Sequence, residues 1–167
     1  MTVRSFLSTM GALTVILMFA QSAAFAQALP PGTTALVGAP LVDVPPLFAV
    51  LRGGNEVSGT GGANIGDPDG RGAVTAILSD TDLCFGIVVD GIAAPTDAGI
   101  YRGAAGVNGD LVVMLTAPSA GDPGTSSGCI PVADPALLTQ IQSAPTSFYV
   151  SVSTGEFSTG AVRGQLF

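Results

Sequence analysis

The chain has 167 residues, of which 47% are hydrophobic and 10% are charged, and its formal net charge at pH 7 is -7. This composition is too apolar for a chain that is disordered throughout. Five arginines without any lysine are too few and too scattered for a nucleic-acid-binding surface, and the absence of histidine removes the usual base of an activated serine or cysteine.

The first 26 residues have the pattern of a secretory signal peptide. Arg4 gives a basic start, residues 6–20 are mostly apolar, and Ala24-Phe25-Ala26 is a small-x-small cleavage site. The apolar run is shorter than the roughly 20 residues that span a bilayer, although an uncleaved anchor is the alternative. We expect cleavage after residue 26, a proline-rich extended linker over 27–46, and a secreted, periplasmic or cell-envelope protein without a membrane span.

From residue 47 onward, short β-rich segments alternate with turn signals. The predicted strands cover residues 47–52, 73–78, 83–92, 98–102, 110–115, 147–153 and 160–167. About seven strands at this spacing predict an all-β sandwich or barrel in a domain that covers residues 47–167. Within 147–153, hydrophobic residues alternate with Tyr149, Ser151 and Ser153, so one face of this strand is expected in the core and the other is polar.

One segment interrupts the β pattern, after a Ser/Gly-rich stretch over 116–128 that we interpret as a loop. Asp134 is suited to cap a helix whose first residue is Pro135, and Pro145 marks its end. The apolar stripe of this short helix consists of Leu137, Leu138 and Ile141. We expect the helix to pack at one end of the sandwich, because a helix of two turns is not stable alone.

Two cysteines, Cys84 and Cys129, lie in the part of the chain that we expect to be exported. An even pair in an oxidising compartment predicts a disulfide, which would destabilise the unfolded chain by roughly 4 kcal/mol. The alternative is a two-cysteine metal site, but no histidine is present to complete it. The bridge would fasten the loop and helix near Cys129 to the start of a strand.

The candidates for catalysis are carboxylates. "GDPDGRG" (66–72) superficially resembles a calcium loop, but a reverse turn with Pro68 at its second position explains it. "SDTD" (79–82) is a similar polar turn, and we interpret the glycine-rich residues after 52 as a flexible connection between strands. A hydrolase or metal-dependent enzyme that uses Glu56, Glu156 or the loop aspartates is the alternative to a protein without catalysis.

Tyr101, Arg102 and Tyr149 are residue types enriched in protein-binding hot spots. They precede or accompany the loop "GAAGVNG" (103–109), which includes Asn108. The simpler interpretation is a tyrosine packed at the edge of a sheet beside a solvated arginine.

Three segments together resemble the CHRD domain, the module named after chordin and found in many exported bacterial proteins. They are "LRGGNEV", "TDAGIYRGAAGVNGDLVVML" and "FYVSVSTGEFSTGAVRGQLF". The resemblance covers roughly residues 47–167 and implies an immunoglobulin-like or superoxide-dismutase-like antiparallel β-sandwich. It implies no settled reaction for the bacterial members, and the pair of cysteines is similar to that of a bacterial subgroup.

The chain departs from the family pattern at three positions where the resemblance implies histidine, namely Gly99, Tyr101 and Ser153. Histidines at these positions would suit a metal or polar cluster. We therefore expect no transition-metal centre, no cofactor and no dismutase-like activity. The expected function is a non-catalytic binding or structural module for an extracellular or cell-envelope protein, and the candidate contact residues are Tyr101, Arg102, Asn108, Tyr149 and Ser153.

Overall fold

A computed structural model describes residues 44–60, 62, 64–121 and 124–167. The predicted signal peptide and the predicted linker up to residue 43 lie outside the described residues. The strands are β1 (Leu47–Arg52), β2 (Arg71–Leu78), β3 (Asp82–Asp90), β4 (Pro95–Arg102), β5 (Leu111–Leu115), β6 (Gly124–Pro131), β7 (Phe148–Thr154) and β8 (Val162–Gln165), and one α-helix, α1, covers Pro135–Ser143.

The strands are antiparallel and follow the order β5-β4-β7-β8-β1-β2-β3-β6. The two halves of this order, β5-β4-β7-β8 and β1-β2-β3-β6, meet where Arg52 pairs with Arg163. Phe48 and Phe167 add two reciprocal backbone hydrogen bonds of 3.0 Å at the same junction. The predicted all-β sandwich with one short helix is confirmed.

One core lies between the two halves. Every second residue of a strand points inward, and the buried hydrophobic residues follow this period, as in Leu47, Ala49 and Leu51 of β1. The same alternation in β7 places Phe148, Val150 and Val152 in the core, as predicted.

The prediction of about seven strands missed β6. Its sequence, "GTSSGCIP", consists mainly of small residues that favour loops, and we interpreted most of it as a Ser/Gly-rich loop. In the structure it pairs with β3 from Val89 opposite Gly124 to Asp82 opposite Pro131. Pairing with a neighbouring strand here outweighs the weak β-propensity of the segment.

The predicted helix is confirmed, including its cap. The Asp134 carboxylate accepts a hydrogen bond of 2.9 Å from the backbone N–H of Ala136, and Pro135 is the first helical residue. Leu138 and Ile141 are buried and Leu137 is partly buried against the core. The helix is therefore held by its apolar stripe, as expected for an element of this length.

The disulfide between Cys84 and Cys129 is present, but its surroundings differ from our expectation. The two cysteines are directly opposite each other on β3 and β6. The bond therefore fastens one strand to its neighbour and not a loop to a strand. An intramolecular disulfide is typical of an oxidising compartment.

The two acidic turns are confirmed as turns. The N–H of Gly70 donates to the carbonyl of Asp67 at 3.1 Å, which closes a turn with Pro68 at its second position. The N–H of Ser79 donates to the carbonyl of Asp82 at 2.9 Å and closes the second turn.

Parts of the glycine-rich segment after β1, for which we expected a flexible connection, are packed in the structure. It begins with a turn of 3₁₀-helix at Gly53–Asn55, and the next two residues, Glu56 and Val57, are buried. Gly66 has no room for a side chain, because a Cβ there would overlap the carbonyls of Gly53 and Ala161. Residues 53–57 and Gly66 of this segment therefore pack against the domain.

Candidate binding surface

The outer face of β4 and β7, which is turned away from the core, carries three of the candidate contact residues, Tyr101, Tyr149 and Ser153, together with Gly99. In the register of these strands Tyr101 is opposite Tyr149, Gly99 is opposite Ser151, and Asp97 is opposite Ser153. Alternate residues of paired strands share a face. The structure therefore brings together the positions at which the family resemblance implies histidine, Gly99, Tyr101 and Ser153, on one side of the domain.

This outer face is polar, but it is not open to solvent. Tyr149, Ser151 and Ser153 are only 4%, 6% and 9% exposed, and Tyr101 is partly exposed. The face is covered by two segments, the residues after β1 and the loop 103–109. Of the five candidate contact residues, only Arg102 and Asn108 are exposed.

Arg163 of β8 connects this face to the loop. Its guanidinium donates from Nη2 to the carbonyls of Val107 (2.6 Å) and Ala104 (3.1 Å), and from Nη1 to Oδ1 of Asn108 (2.8 Å). The arginine side chain is 2% exposed. A buried side chain thus supplies the hydrogen bonds that hold a loop with few polar side chains of its own.

Asn108 joins the loop to the other covering segment. Its Nδ2 donates to the carbonyl of Val57 at 2.8 Å, while its Oδ1 accepts from Arg163. The candidate contact residue Asn108 therefore also has a structural role.

Beneath the guanidinium lies a stack of two tyrosine rings. Arg163 Cζ is 3.3 Å from the centroid of the Tyr149 ring, and the Tyr101 and Tyr149 rings are nearly parallel with centroids 5.2 Å apart. Burial raises the pKa of Tyr101, as do the charges of Tyr149, Asp97 and Glu56. Tyr101 thus packs on its neighbour in the sheet, but not at the edge of the sheet as in the simpler interpretation, because β4 is paired with both β5 and β7.

Arg102 points to the opposite face of β4. It pairs with Phe148, a core residue, and its Cζ lies 4.9 Å from the centroid of the Phe148 ring. Tyr101 shares the face of Tyr149 instead. The aromatic and basic side chains at this strand end therefore do not form one continuous patch, although Arg102 itself is exposed.

A buried acid lies in the same covered layer. Glu56 is 2% exposed, and its Oε1 accepts a hydrogen bond of 2.5 Å from Ser151 Oγ. Burial raises the pKa of this carboxyl, while the hydrogen bond from Ser151 and the charge of Arg163 lower it. Burial in turn lowers the pKa of Arg163, and the charges of Tyr149 and Glu56 raise it.

Gly160 leaves the space that the Glu56 carboxyl occupies. Its φ is +136°, a conformation that favours glycine. A Cβ at this position would overlap the carboxyl group of Glu56. The glycine is therefore required both by the backbone and by the buried acid.

Arg163 and Gly160 were not among the candidate residues predicted from the sequence. Alternation in β8 does indicate that Arg163 faces away from Val162 and Leu166, which is the signal that could have placed it beside Tyr149. Glu56 was a candidate only for catalysis, as was Glu156. The structure gives these two residues different surroundings, because Glu156 is exposed.

A shallow recess of about 280 Å³ opens between the two covering segments. Its walls include Gly54 and Val57 on one side and Ala105 and Gly106 on the other, with Arg163 also contributing. The volume is at the lower limit of sites for small molecules. It is large enough for one side chain of a partner.

Within the described residues, no group of three or more His, Cys, Asp or Glu side chains is placed to hold a metal ion. Gly99, Tyr101 and Ser153 share a face but supply no imidazole or carboxylate. These residues do not fit a transition metal. Among the same described residues, no helix is long and apolar enough to cross a membrane.

The fold and the sequence segments that form this face are both consistent with one known protein family. The chain matches no curated protein and no solved structure. The CHRD domain family matches residues 47–166, which extend from the first residue of β1 to the residue before the last. The chain therefore belongs to the CHRD domain family.

Proposed function

We propose that this chain is an exported, non-catalytic binding or structural module, and that its contact surface is the loop 103–109 together with the recess beside it. The proposed partner is an extracellular or cell-envelope protein. The disulfide supports export because such bonds persist in oxidising compartments.

The observation that carries the proposal is the attachment of the exposed loop to Arg163. Residues 104–109 are exposed, yet two hydrogen bonds from one buried guanidinium fix their backbone and a third holds the Asn108 side chain. A loop that is already ordered loses little conformational freedom when a partner binds. Val107 presents a side chain that is 54% exposed, and its loop neighbours Ala105 and Gly106 line a recess of a size suited to one partner side chain.

The alternative, a hydrolase based on carboxylates, has less support. The perturbed pKa of Glu56 is typical of functional sites, but its carboxyl is buried against Ser151 and Gly160. The other glutamate candidate, Glu156, is exposed. The raised pKa is accounted for by burial in a structural layer.

The test is affinity capture from the native extracellular and cell-envelope fraction with three immobilised proteins. These are the unchanged chain, Val107→Asp at the loop, and the control Val50→Asp on the outer face of β1, where the valine is 50% exposed. We expect a specific partner to be retained by the first and third proteins and lost by the second. Capture of no partner by the unchanged chain, or equal capture by the two variants, would contradict the proposal.

A further inference from the structure

Strand β6 is held to the domain in a different way from the other strands. None of its eight residues is buried, and only Gly124, Ser126 and Ile130 are partly buried. Each of the other seven described strands has at least two buried residues. Because burial of apolar area is the main stabilising term for packed elements, β6 depends on its other attachments.

Those attachments are of two kinds. The first is hydrogen bonding, which consists of the backbone ladder to β3, a backbone bridge between Thr125 and Ala120, and side-chain bonds such as Ser126 Oγ to the carbonyl of Thr116 at 2.8 Å. The second is the disulfide between Cys84 and Cys129. β6 is at the end of the strand order, and among the described residues its other side is paired at Thr125, which exchanges two backbone hydrogen bonds with Ala120 (2.8 and 3.2 Å).

The disulfide is on the outer face of the sheet. Cys129 is exposed and Cys84 is partly exposed. On the other side of Cys84, the opposite residue in the register is Ile77 of β2, which is itself 54% exposed. A reagent therefore reaches the bond from solvent without passing through the core.

We propose that the bond between Cys84 and Cys129 is a site of thiol–disulfide exchange, reduced in the folded protein by an external dithiol, and that its reduction releases β6 as a local unit. A thiolate of the dithiol attacks Sγ of Cys129, the more exposed cysteine, and forms a mixed disulfide. The bond to Cys84 breaks, its electron pair remains on Sγ of Cys84, and that thiolate takes a proton from solvent.

The second thiol of the dithiol then completes the exchange. It attacks the sulfur of the same dithiol molecule in the mixed disulfide, and Cys129 leaves as a thiolate that is protonated in turn. The dithiol is oxidised to a disulfide by two electrons, and the protein gains two thiols. Release of β6 leaves the backbone groups of β3 that face it without partners, while β3 stays paired with β2, and an unpaired edge of this kind accepts an extended segment of another chain.

The first test measures how fast dithiothreitol reduces the folded protein. Free thiols are alkylated with iodoacetamide at successive times and counted by mass spectrometry, at urea concentrations from zero to just below the unfolding transition. We expect a rate that rises in proportion to dithiothreitol and changes less than about twofold with urea, because attack does not require global unfolding. A rate that increases with urea as steeply as the global unfolding equilibrium would overturn the proposal.

The second test measures amide hydrogen exchange after reduction and alkylation. We expect protection of the β6 amides to fall at least tenfold, while β1 and β7 remain protected, and the variant Cys84→Ala/Cys129→Ala to reproduce this pattern without any reagent. Unchanged protection of β6, or equal loss of protection in β1, β6 and β7 of the alkylated protein, would refute release as a local unit. The alkylated protein decides this point if the double variant does not fold.

Discussion

Replacement of Arg163 by methionine tests the central contact of the candidate surface. The change removes three hydrogen bonds from a buried guanidinium, to Ala104, Val107 and Asn108, and its contact with the Tyr149 ring. A hydrogen bond to a charged group contributes about 1.5–3 kcal/mol, and the cation–π contact adds about 1 kcal/mol. The sum is about 5.5 kcal/mol when each hydrogen bond is taken at its lower limit.

The net loss is smaller than this sum for two reasons. The carbonyls of Ala104 and Val107 belong to exposed residues and recover bonds to water, and methionine no longer carries a charge that must be buried. We therefore expect Arg163→Met to lower the free energy of unfolding by about 3 kcal/mol, measured by urea unfolding followed by circular dichroism.

Arg102→Met is the matched control. This arginine also lies over an aromatic ring, that of Phe148, but its side chain is exposed, so we expect a loss below about 1 kcal/mol. Hydrogen exchange should also show faster exchange at residues 103–109 in Arg163→Met alone. A difference of less than about 0.5 kcal/mol between the two variants would refute the claim that Arg163 holds the loop.

Three further predictions concern the buried acid, its glycine neighbour and the helix cap. Because burial raises the pKa of Glu56 above its ordinary value of 4.5, the stability it contributes should be fully present below pH 4.5 and fall as the pH rises through the folded pKa. Glu56→Gln should remove this dependence on pH, whereas Glu156→Gln, at an exposed position, should leave it unchanged. The measurement is urea unfolding from pH 4 to 8. A stability of the unchanged chain that rises with pH relative to that of Glu56→Gln would contradict the prediction. Gly160→Ala should lower the free energy of unfolding by about 3 kcal/mol or more, because of the φ of Gly160 and the overlap with Glu56. Gly155→Ala is the control and should change thermal stability little, because the space around Gly155 is open. Equal melting temperatures of the two variants would count against this prediction. Asp134→Ala should cost about 1 kcal/mol by urea unfolding, and an unchanged midpoint would show that the cap contributes nothing.

The strands with regular alternation were predictable from the sequence because their buried faces impose a period of two. In β1 the predicted bounds, 47–52, are those of the structure, and α1 begins at the residue after its predicted cap. β6 was not predictable in this way. None of its residues is buried, so its sequence carries no hydrophobic period.

The candidate site was predictable only in part, because the contacts that cover it join residues that are far apart along the chain. Alternation within β7 indicated that Tyr149, Ser151 and Ser153 share a polar face, and this is confirmed. It could not indicate that the face is covered, because the covering contacts join residues far apart in sequence. Glu56 and Ser151 are 95 residues apart, and Asn108 and Arg163 are 55 apart.

The same contacts explain why Arg163 and Glu56 are both buried without forming an ion pair. The loop 103–109 consists of glycine, alanine, valine and asparagine and has few polar side chains to fix its own backbone, and the guanidinium of Arg163 donates to two of its carbonyls, those of Ala104 and Val107. Glu56 is satisfied separately by Ser151. Each group therefore fastens a different covering segment to the same sheet, and the loop is ordered before any partner arrives. It follows that binding and stability are separable at this surface: Val107→Asp should weaken partner binding with little loss of stability, whereas Arg163→Met should reduce both.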